Sequence, residues 1–154
     1  MNITEPLQLR FFRIEDQIEA RQTILKGLEE RFGFLNETLN PDVDDIYNHF
    51  IAKGDLFIVG FFNGTMVCTG ALITETVEVG RIVRVSVREE HRRRGFAGAV
   101  MECLESIAKE KGFKQLVLET NKDWDSAVSF YKKIGYQVEI YKDGSVHMFK
   151  NIYK

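Results

Sequence analysis

The chemistry-bearing stretch of this chain is Val85-Ser86-Val87-Arg88-Glu89-Glu90-His91-Arg92-Arg93-Arg94-Gly95-Phe96-Ala97-Gly98. An apolar, β-branched segment runs into a charged turn, then a glycine, a small residue and a long helical pattern. The first turn of a helix presents backbone N–H groups with no intrahelical partner and the positive end of the helix dipole. A phosphate or pyrophosphate sits well at such an end. Gly95 and Ala97 remove side-chain bulk, so a ligand can approach the backbone closely. Arg92, Arg93 and Arg94 supply positive charge to a polyanion. Neither GxxxxGK[ST] nor GxGxxG occurs in the chain, which excludes a Walker A loop and a dinucleotide fingerprint. Taken alone, R-x-x-G-x-A describes a basic capped turn before an ordinary helix equally well.

The elements that must position this turn are read from hydrophobic period. Leu7–Phe12 alternates as a first strand. Ile14, Ile18, Leu25, Leu28 and Phe32 share one face of a helix that Gly33 stops. Asn40 and Pro41 suit the N-cap and first position of a second helix, with Ile46, Phe50 and Ile51 as its apolar positions. Leu56–Phe62 and Thr65–Thr74 form a hairpin over Asn63-Gly64, a pair suited to a type I′ turn. Val77–Val87 adds a third strand, with Val83, Val85 and Val87 on one face. Gly95–Lys111 is an amphipathic helix through Val100, Met101, Leu104, Ile107 and Ala108, ended by Gly112. Gln115–Glu119 is a short buried strand. Trp124–Lys133 is a helix with Trp124, Ala127, Val128, Tyr131 and Ile134 on one side, closed by Gly135. Tyr136–Tyr141 and Val146–Tyr153 close the chain as a hairpin. The order is β-α-α-β-β-β-α-β-α-β-β, a mixed α/β (α+β) domain around one central sheet. No linker or repeat interrupts it, so residues 1–154 read as a single domain.

Composition narrows the function. The 154 residues are 44% hydrophobic and 29% charged, an ordinary globular balance. Net charge is −2, from 21 basic and 23 acidic residues, which disfavours a general nucleic-acid binder. The longest apolar runs, such as Leu56–Phe62, are far short of the ~20 residues that span a bilayer. Met1–Pro6 lacks the basic and apolar regions of a signal peptide. Cys68 and Cys103 form no CxxC and sit in apolar stretches, which suits reduced core thiols and a cytoplasmic protein. His49 and His147 show no metal-ligand spacing, so no metal is expected.

Two motifs carry a resemblance to a known family. Arg92-Arg93-Arg94-Gly95-Phe96-Ala97 matches Q/R-x-x-G-x-G/A between a strand and a helix, and Ala127-Val128-Ser129-Phe130-Tyr131-Lys132-Lys133-Ile134-Gly135-Tyr136 matches A-x-x-x-Y-x-x-x-G-F/Y. With the element order, they make the chain similar, over about Leu7 to Tyr153, to the GNAT superfamily of acetyl-CoA-dependent N-acetyltransferases. The resemblance implies a mostly antiparallel sheet splayed between the fourth and fifth strands. It implies that acetyl-CoA lays its pyrophosphate on the amides of Arg92–Gly98, through Arg92, Arg93, Arg94, Gly95, Phe96, Ala97 and Gly98. Backbone groups of Val85, Ser86 and Val87 would bond the pantetheine arm, and one N–H there would face the thioester carbonyl. Asn121 would bond pantetheine amides or serve its own turn.

The implied reaction is direct attack by a primary amine on the thioester in a ternary complex, without a cysteine relay. Tyr131 holds the usual general-acid position, and core packing is its alternative. Some members carry a glutamate on the strand before the signature loop; here Arg81 stands there. Glu119 becomes the candidate for the base or for binding the amine. Where an asparagine often precedes the second motif, this chain has Trp124. His91 reads as a structural aromatic. The acceptor side carries Glu37, Asp42, Asp44, Asp45 and Tyr47, which either steer a cationic amine or form an exposed acidic helix start. Phe32, Phe34 and Phe50 either line a pocket or belong to the core. The acceptor is a small-molecule or peptide amine, and a homodimer is compatible with the β-rich C-terminus. Two other readings compete: a non-catalytic acyl-CoA-binding sensor, and a nucleic-acid-binding domain using Arg88 and the three arginines of the loop.

Overall fold

The computed structural model describes residues 6–32, 40–92 and 94–153, apart from the side chains of residues 30–32. Gly33, Phe34, Glu37 and Arg93, and the side chain of Phe32, therefore lie outside the described residues. The elements are β1 (Gln8–Phe11), α1 (Gln17–Phe32), α2 (Pro41–Asp44), α3 (Ile46–His49), β2 (Leu56–Phe62), β3 (Thr65–Thr74), β4 (Val79–Val87), α4 (Phe96–Glu110), β5 (Gln115–Asn121), α5 (Asp125–Lys133), β6 (Gln137–Lys142) and β7 (Ser145–Asn151). One seven-stranded sheet has the order β1-β2-β3-β4-β5-β7-β6. The chain divides into two compact units, residues 1–71 with 84–103 and residues 72–83 with 104–154.

In the first unit, β2 and β3 meet over Asn63 and Gly64, whose φ values of 52° and 79° meet the type I′ requirement. Phe12, Phe50, Phe57, Met66 and Val67 are buried. Phe57 takes edge-to-face contacts from Phe12 at 5.6 Å and Phe50 at 5.3 Å, so Phe50 belongs to the core. The expected apolar face of α1 is corrected at Ile14 and Ile18. Ile14 and Ile18 are 68% and 70% exposed, and Ile14 belongs to a 3-10 turn that precedes the helix. Leu25 is buried as expected, and with Ala20, Thr23, Ile24 and Gly27 it makes a buried face of mixed small, polar and apolar residues. A Cβ on Gly27 would stand 2.7 Å from Ser86 Oγ, so a side chain there would make that hydroxyl turn aside.

The expected second helix is two short helices. They break at Asp45, whose backbone is non-helical (φ −149°, ψ 76°). Asp45 accepts from Asn48 N and Nδ2 and so caps α3. Asn40 makes no side-chain cap; its Oδ1 accepts from Arg84 instead.

In the second unit, β5 pairs antiparallel with β7 over all seven of its residues, and β7 pairs with β6. Leu116, Leu118, Val146 and Met148 are buried on one face. The β4–β5 ladder is parallel and covers only Val79–Arg81 against Gln115–Val117. β5 then runs on to Asn121 with β7 as its paired neighbour, as a sheet splayed between the fourth and fifth strands requires. Asn121 therefore ends the strand rather than following it. A buried network ties α4 to the closing hairpin: Lys150 Nζ donates to both oxygens of Glu105 at 3.1 Å and to Ile134 O at 2.9 Å, and Tyr136 OH donates to Glu105 Oε1 at 3.2 Å. Burial, reinforced by that carboxylate, pushes the Tyr136 hydroxyl far above the ordinary tyrosine range.

Candidate functional site

The signature turn is built on an aromatic base. Phe62 of β2 packs on His91 at 5.9 Å and on Phe96 at 5.3 Å, and the Arg94 guanidinium lies 5.4 Å over the Phe62 ring. His91 is thus a packing aromatic, although its buried Nδ1 has no hydrogen-bond partner among the described residues. Ala99 N donates to Gly95 O at 3.0 Å, the first helical bond of α4. The amides of Phe96, Ala97 and Gly98 precede any i→i−4 carbonyl in that helix. Gly95 adopts φ +80°, a conformation that L-residues rarely take, and nothing lies within 4 Å of where a Cβ would stand on Gly95 or on Gly98. The result is an open helix N-terminus with an exposed arginine beside it, a cradle that side chains would fill and a diphosphate fits.

The adjoining strand carries a break. Arg84 has φ +56° in the middle of β4, which interrupts the strict alternation expected for Val83, Val85 and Val87. A left-handed arginine costs roughly 1–2 kcal/mol and persists only where its surroundings hold it. Buried Thr69 donates from Oγ1 to Arg84 O at 2.8 Å. The guanidinium donates to both Asp42 oxygens, at 2.8 and 2.6 Å, and to Asn40 Oδ1 at 3.1 Å. Burial and this ion pair oppose each other at Asp42, and the arginine prevails, holding the carboxyl below its usual range. Val85, Ser86 and Val87 follow. Arg92 Nε donates to Val87 O, so that carbonyl is already engaged, and Ser86 Oγ reaches Thr23 O at 3.4 Å.

Arg88 is removed from the set of surface cations. It donates to Met66 O and to Thr23 Oγ1, inside the first unit. Among the described residues, the acids expected on the acceptor side are also taken up locally: Asp42 by Arg84, Asp44 by Arg21 at 2.9 Å, and Asp45 by its cap. Tyr47 is exposed. The sequence reading placed both cysteines in the core, and this holds for Cys68 only. Burial pushes the Cys68 thiol up to about 12, whereas Cys103 is half-buried, with its thiol also raised by burial.

In the second unit, Tyr131 is half-buried on α5, its ring 5.2 Å from Phe130 and 5.9 Å from Tyr136. Tyr136 N donates to Tyr131 O. Glu119 projects from the part of β5 beyond the β4 ladder. Directly across the β5–β7 ladder from it is His147, whose Nδ1 lies 3.5 Å from Glu119 Oε2. Arg81, where a strand glutamate was sought, is held by both oxygens of Glu75 at 2.8 and 3.2 Å. Asn121 Oδ1 accepts from Asp123 N at 2.8 Å, the turn role that competed with pantetheine binding. Sequence reasoning passed over Arg84 and His147. Neither has a sequence signal, because a left-handed arginine and a cross-strand partner are set by tertiary pairing.

Comparison with known proteins places this chain in a family. The model of the acetyltransferase (GNAT) family matches residues 21–136. N-acetyltransferase 8 of Rattus norvegicus is 30% identical over 110 residues, which cover 68% of this chain and 50% of that protein. The chain spans about half the length of the curated relatives it matches. Among solved structures, a GNAT-family acetyltransferase from Staphylococcus aureus superposes with a TM-score of 0.88 at 17% identity, covering 96% of this chain and 100% of that one. The PaiA N-acetyltransferase of Thermoplasma acidophilum, solved in complex with coenzyme A, superposes with a TM-score of 0.84 at 18% identity, covering 96% and 99%. No described helix is long and apolar enough to cross a membrane. The chain belongs to the GNAT acetyltransferase family.

Proposed function

We propose that this chain is a single N-acetyltransferase domain that moves acetyl from acetyl-CoA to a primary amine by direct attack, in the cytoplasm. The observation that carries this reading is the open helix N-terminus at Gly95–Gly98 beside a β4 interrupted at Arg84. Acetyl-CoA, as cosubstrate, supplies the acetyl group and a thiol leaving group. The amides of Phe96, Ala97 and Gly98, with Arg92, Arg93 and Arg94, hold its diphosphate. Backbone groups of Val85, Ser86 and Val87 bond the pantetheine arm, with Val87 contributing its N–H because its carbonyl serves Arg92. An N–H of this segment faces the thioester oxygen, a placement worth ~10²–10³ in rate. Tyr131 donates the proton that the departing thiolate takes, and Glu119 serves the amine side. Asn121 contributes through its amide N–H2, since its oxygen holds the turn. Coenzyme A bound in the related Thermoplasma acidophilum protein supports the cosubstrate.

The test is release of free coenzyme A from acetyl-CoA across a panel of amines, polyamines and peptide N-termini, with product masses identifying the acceptor. One observation favours a second reading, an acyl-CoA sensor without turnover: Arg81, paired with Glu75, occupies the place of a β4 base. Tight acetyl-CoA binding with no acceptor acetylated selects the sensor.

A further inference from the structure

We propose that His147 is the group that takes the proton from the acceptor amine, with Glu119 holding its ring; this rests on the acetyltransferase reading above. An alkylammonium has a pKa near ~10.4, so the nitrogen must lose a proton before it attacks at neutral pH. Histidine is the side chain most often used to move a proton near neutral pH. The cross-strand register places one beside Glu119. Glu119 and His147 are directly opposed on β5 and β7. The Nδ1 edge of the ring faces the carboxylate at 3.5 Å, and the side chain is partly open to solvent. A carboxylate beside Nδ1 favours the proton on that nitrogen and so assigns Nε2 the accepting role.

The charged neighbours are few. On β4, Arg81 stands opposite Val117, two residues from Glu119, and interacts with Glu119 through its charge while Glu75 neutralises it. On β6 the residue opposite His147 is Ile140, which is apolar. The flanking β7 residues on this face, Ser145 and Phe149, carry no charge. On β6, Lys142 opposite Ser145 shares this face diagonally and Glu139 lies at the irregularity beside Ile140, so Glu119 is the charged group directly opposite the imidazole.

The step balances. The ammonium gives one proton to His147 Nε2. The freed amine forms the N–C bond as the C–S bond breaks, and the sulfur takes the Tyr131 hydroxyl proton. The second nitrogen-bound proton that the product amide must lose returns to Tyr131, and His147 releases its own to water. One ammonium and one thioester give one amide, one thiol and one proton.

The experiment compares wild type with His147→Gln and Glu119→Gln, at a half-buried and an exposed strand position, with a thermal melt of each variant to check that it folds. Two readouts are used: the pH profile of kcat/KM with the best amine of the panel, and the histidine tautomer by ¹⁵N NMR of the free protein. We expect His147→Gln to lower kcat/KM by ~10²–10⁴ at neutral pH and to lose the acid limb of the profile, with coenzyme A affinity unchanged. Wild type should show the Nδ1–H tautomer at His147, and Glu119→Gln should lose it while keeping a diminished rate. Wild-type rates and an unchanged acid limb in His147→Gln overturn the proposal, as does an Nε2–H tautomer in wild type. If wild type binds coenzyme A but acetylates no amine, the acetyltransferase reading itself fails and the proposal fails with it.

Discussion

Replacing Gly98 with glutamate should make the protein more stable and worse at binding coenzyme A. Gly98 is the third residue of α4, and nothing lies within 4 Å of where its Cβ would stand. Glycine inside a helix is about 1 kcal/mol less favourable than a good helix former such as glutamate. A carboxylate in the first turn adds ~0.3–1 kcal/mol through the dipole. Together these predict a gain near ~1.5 kcal/mol, or ~3–6 °C in Tm for a chain of this size. The same carboxylate enters the space assigned to the diphosphate. Two phosphate charges at ~6 Å, at an effective dielectric of ~40, repel it by ~3 kcal/mol in total, about 100-fold in Kd.

Calorimetry with coenzyme A and a thermal melt on the same sample read the two effects. Gly98→Gln is the control, since it has the bulk without the charge: it should keep most of the stability gain and lose much less affinity. Gly95 is a poorer position for this test. Its φ of +80° makes any side chain there strained by ~1–2 kcal/mol, so loss of binding and loss of fold would arrive together. Wild-type affinity in Gly98→Glu refutes the diphosphate assignment. A fall in Tm that tracks the loss of affinity refutes the claim that the position is open.

Tyr131→Phe should lower coenzyme A release by ~10²-fold with coenzyme A affinity within about twofold, by steady-state kinetics and calorimetry; unchanged turnover makes Tyr131 a packing residue. Asp16 is buried and accepts a two-point fork from Arg10 at 2.7 and 2.8 Å, plus Arg13 N at 2.8 Å. That hydrogen bonding by Arg10 holds its carboxyl below the usual range, so the folded state binds the proton less readily than the unfolded chain. The stabilisation is present above about pH 4 and is lost as pH falls through the lowered folded-state value. Asp16→Asn should therefore cost ~2–3 kcal/mol at pH 7, with the gap to wild type narrowing in acid melts; a gap independent of pH refutes the ionic account. At Gly80, a Cβ would stand 2.9 Å from Leu72 Cδ1 and 3.1 Å from both Leu116 and Phe113, so Gly80→Val should destabilise by ~1–3 kcal/mol, and an unchanged Tm refutes that packing.

The elements that were legible in the sequence are those whose signal is local. Asn63-Gly64 specifies a turn by its own backbone preferences, and the strands on either side end where they were read. The α4 pattern through Val100, Met101, Leu104 and Ala108 is buried as its period implies. Helix α1 existed as read and buries Leu25, but Ile14 and Ile18 fall outside its buried face. Its buried face contains Thr23 and Gly27, residues chosen for close approach rather than for apolar area. A period drawn only through large apolar residues selects Ile14 and Ile18 instead and rotates the helix outward. The break at Asp45 was hidden for a related reason, because the cap that starts α3 is an aspartate inside what looked like one acidic helix.

The candidate site divides along the same line. The cradle at Gly95–Gly98 is a property of consecutive residues, so the sequence displays it. The polar side chains around it have roles set by partners far along the chain, and residue type alone leaves these roles open. Asp42, Asp44 and Asp45 look alike as a run of acids, yet one anchors a strained arginine 42 residues away, one pairs with α1 and one caps a helix. Glu119 is one more acidic residue in the sequence. Its difference comes from the strand register, which sets an imidazole beside it and stops the β4 ladder before reaching it. A carboxylate without a dedicated cation stays adaptable, and a carboxylate fixed by an arginine fork does not. By that criterion Asp42 is structural, while Asp44 holds a single arginine nitrogen and Asp45 caps a helix; Glu119 has no such fork, facing His147 at 3.5 Å and feeling Arg81 only through its charge.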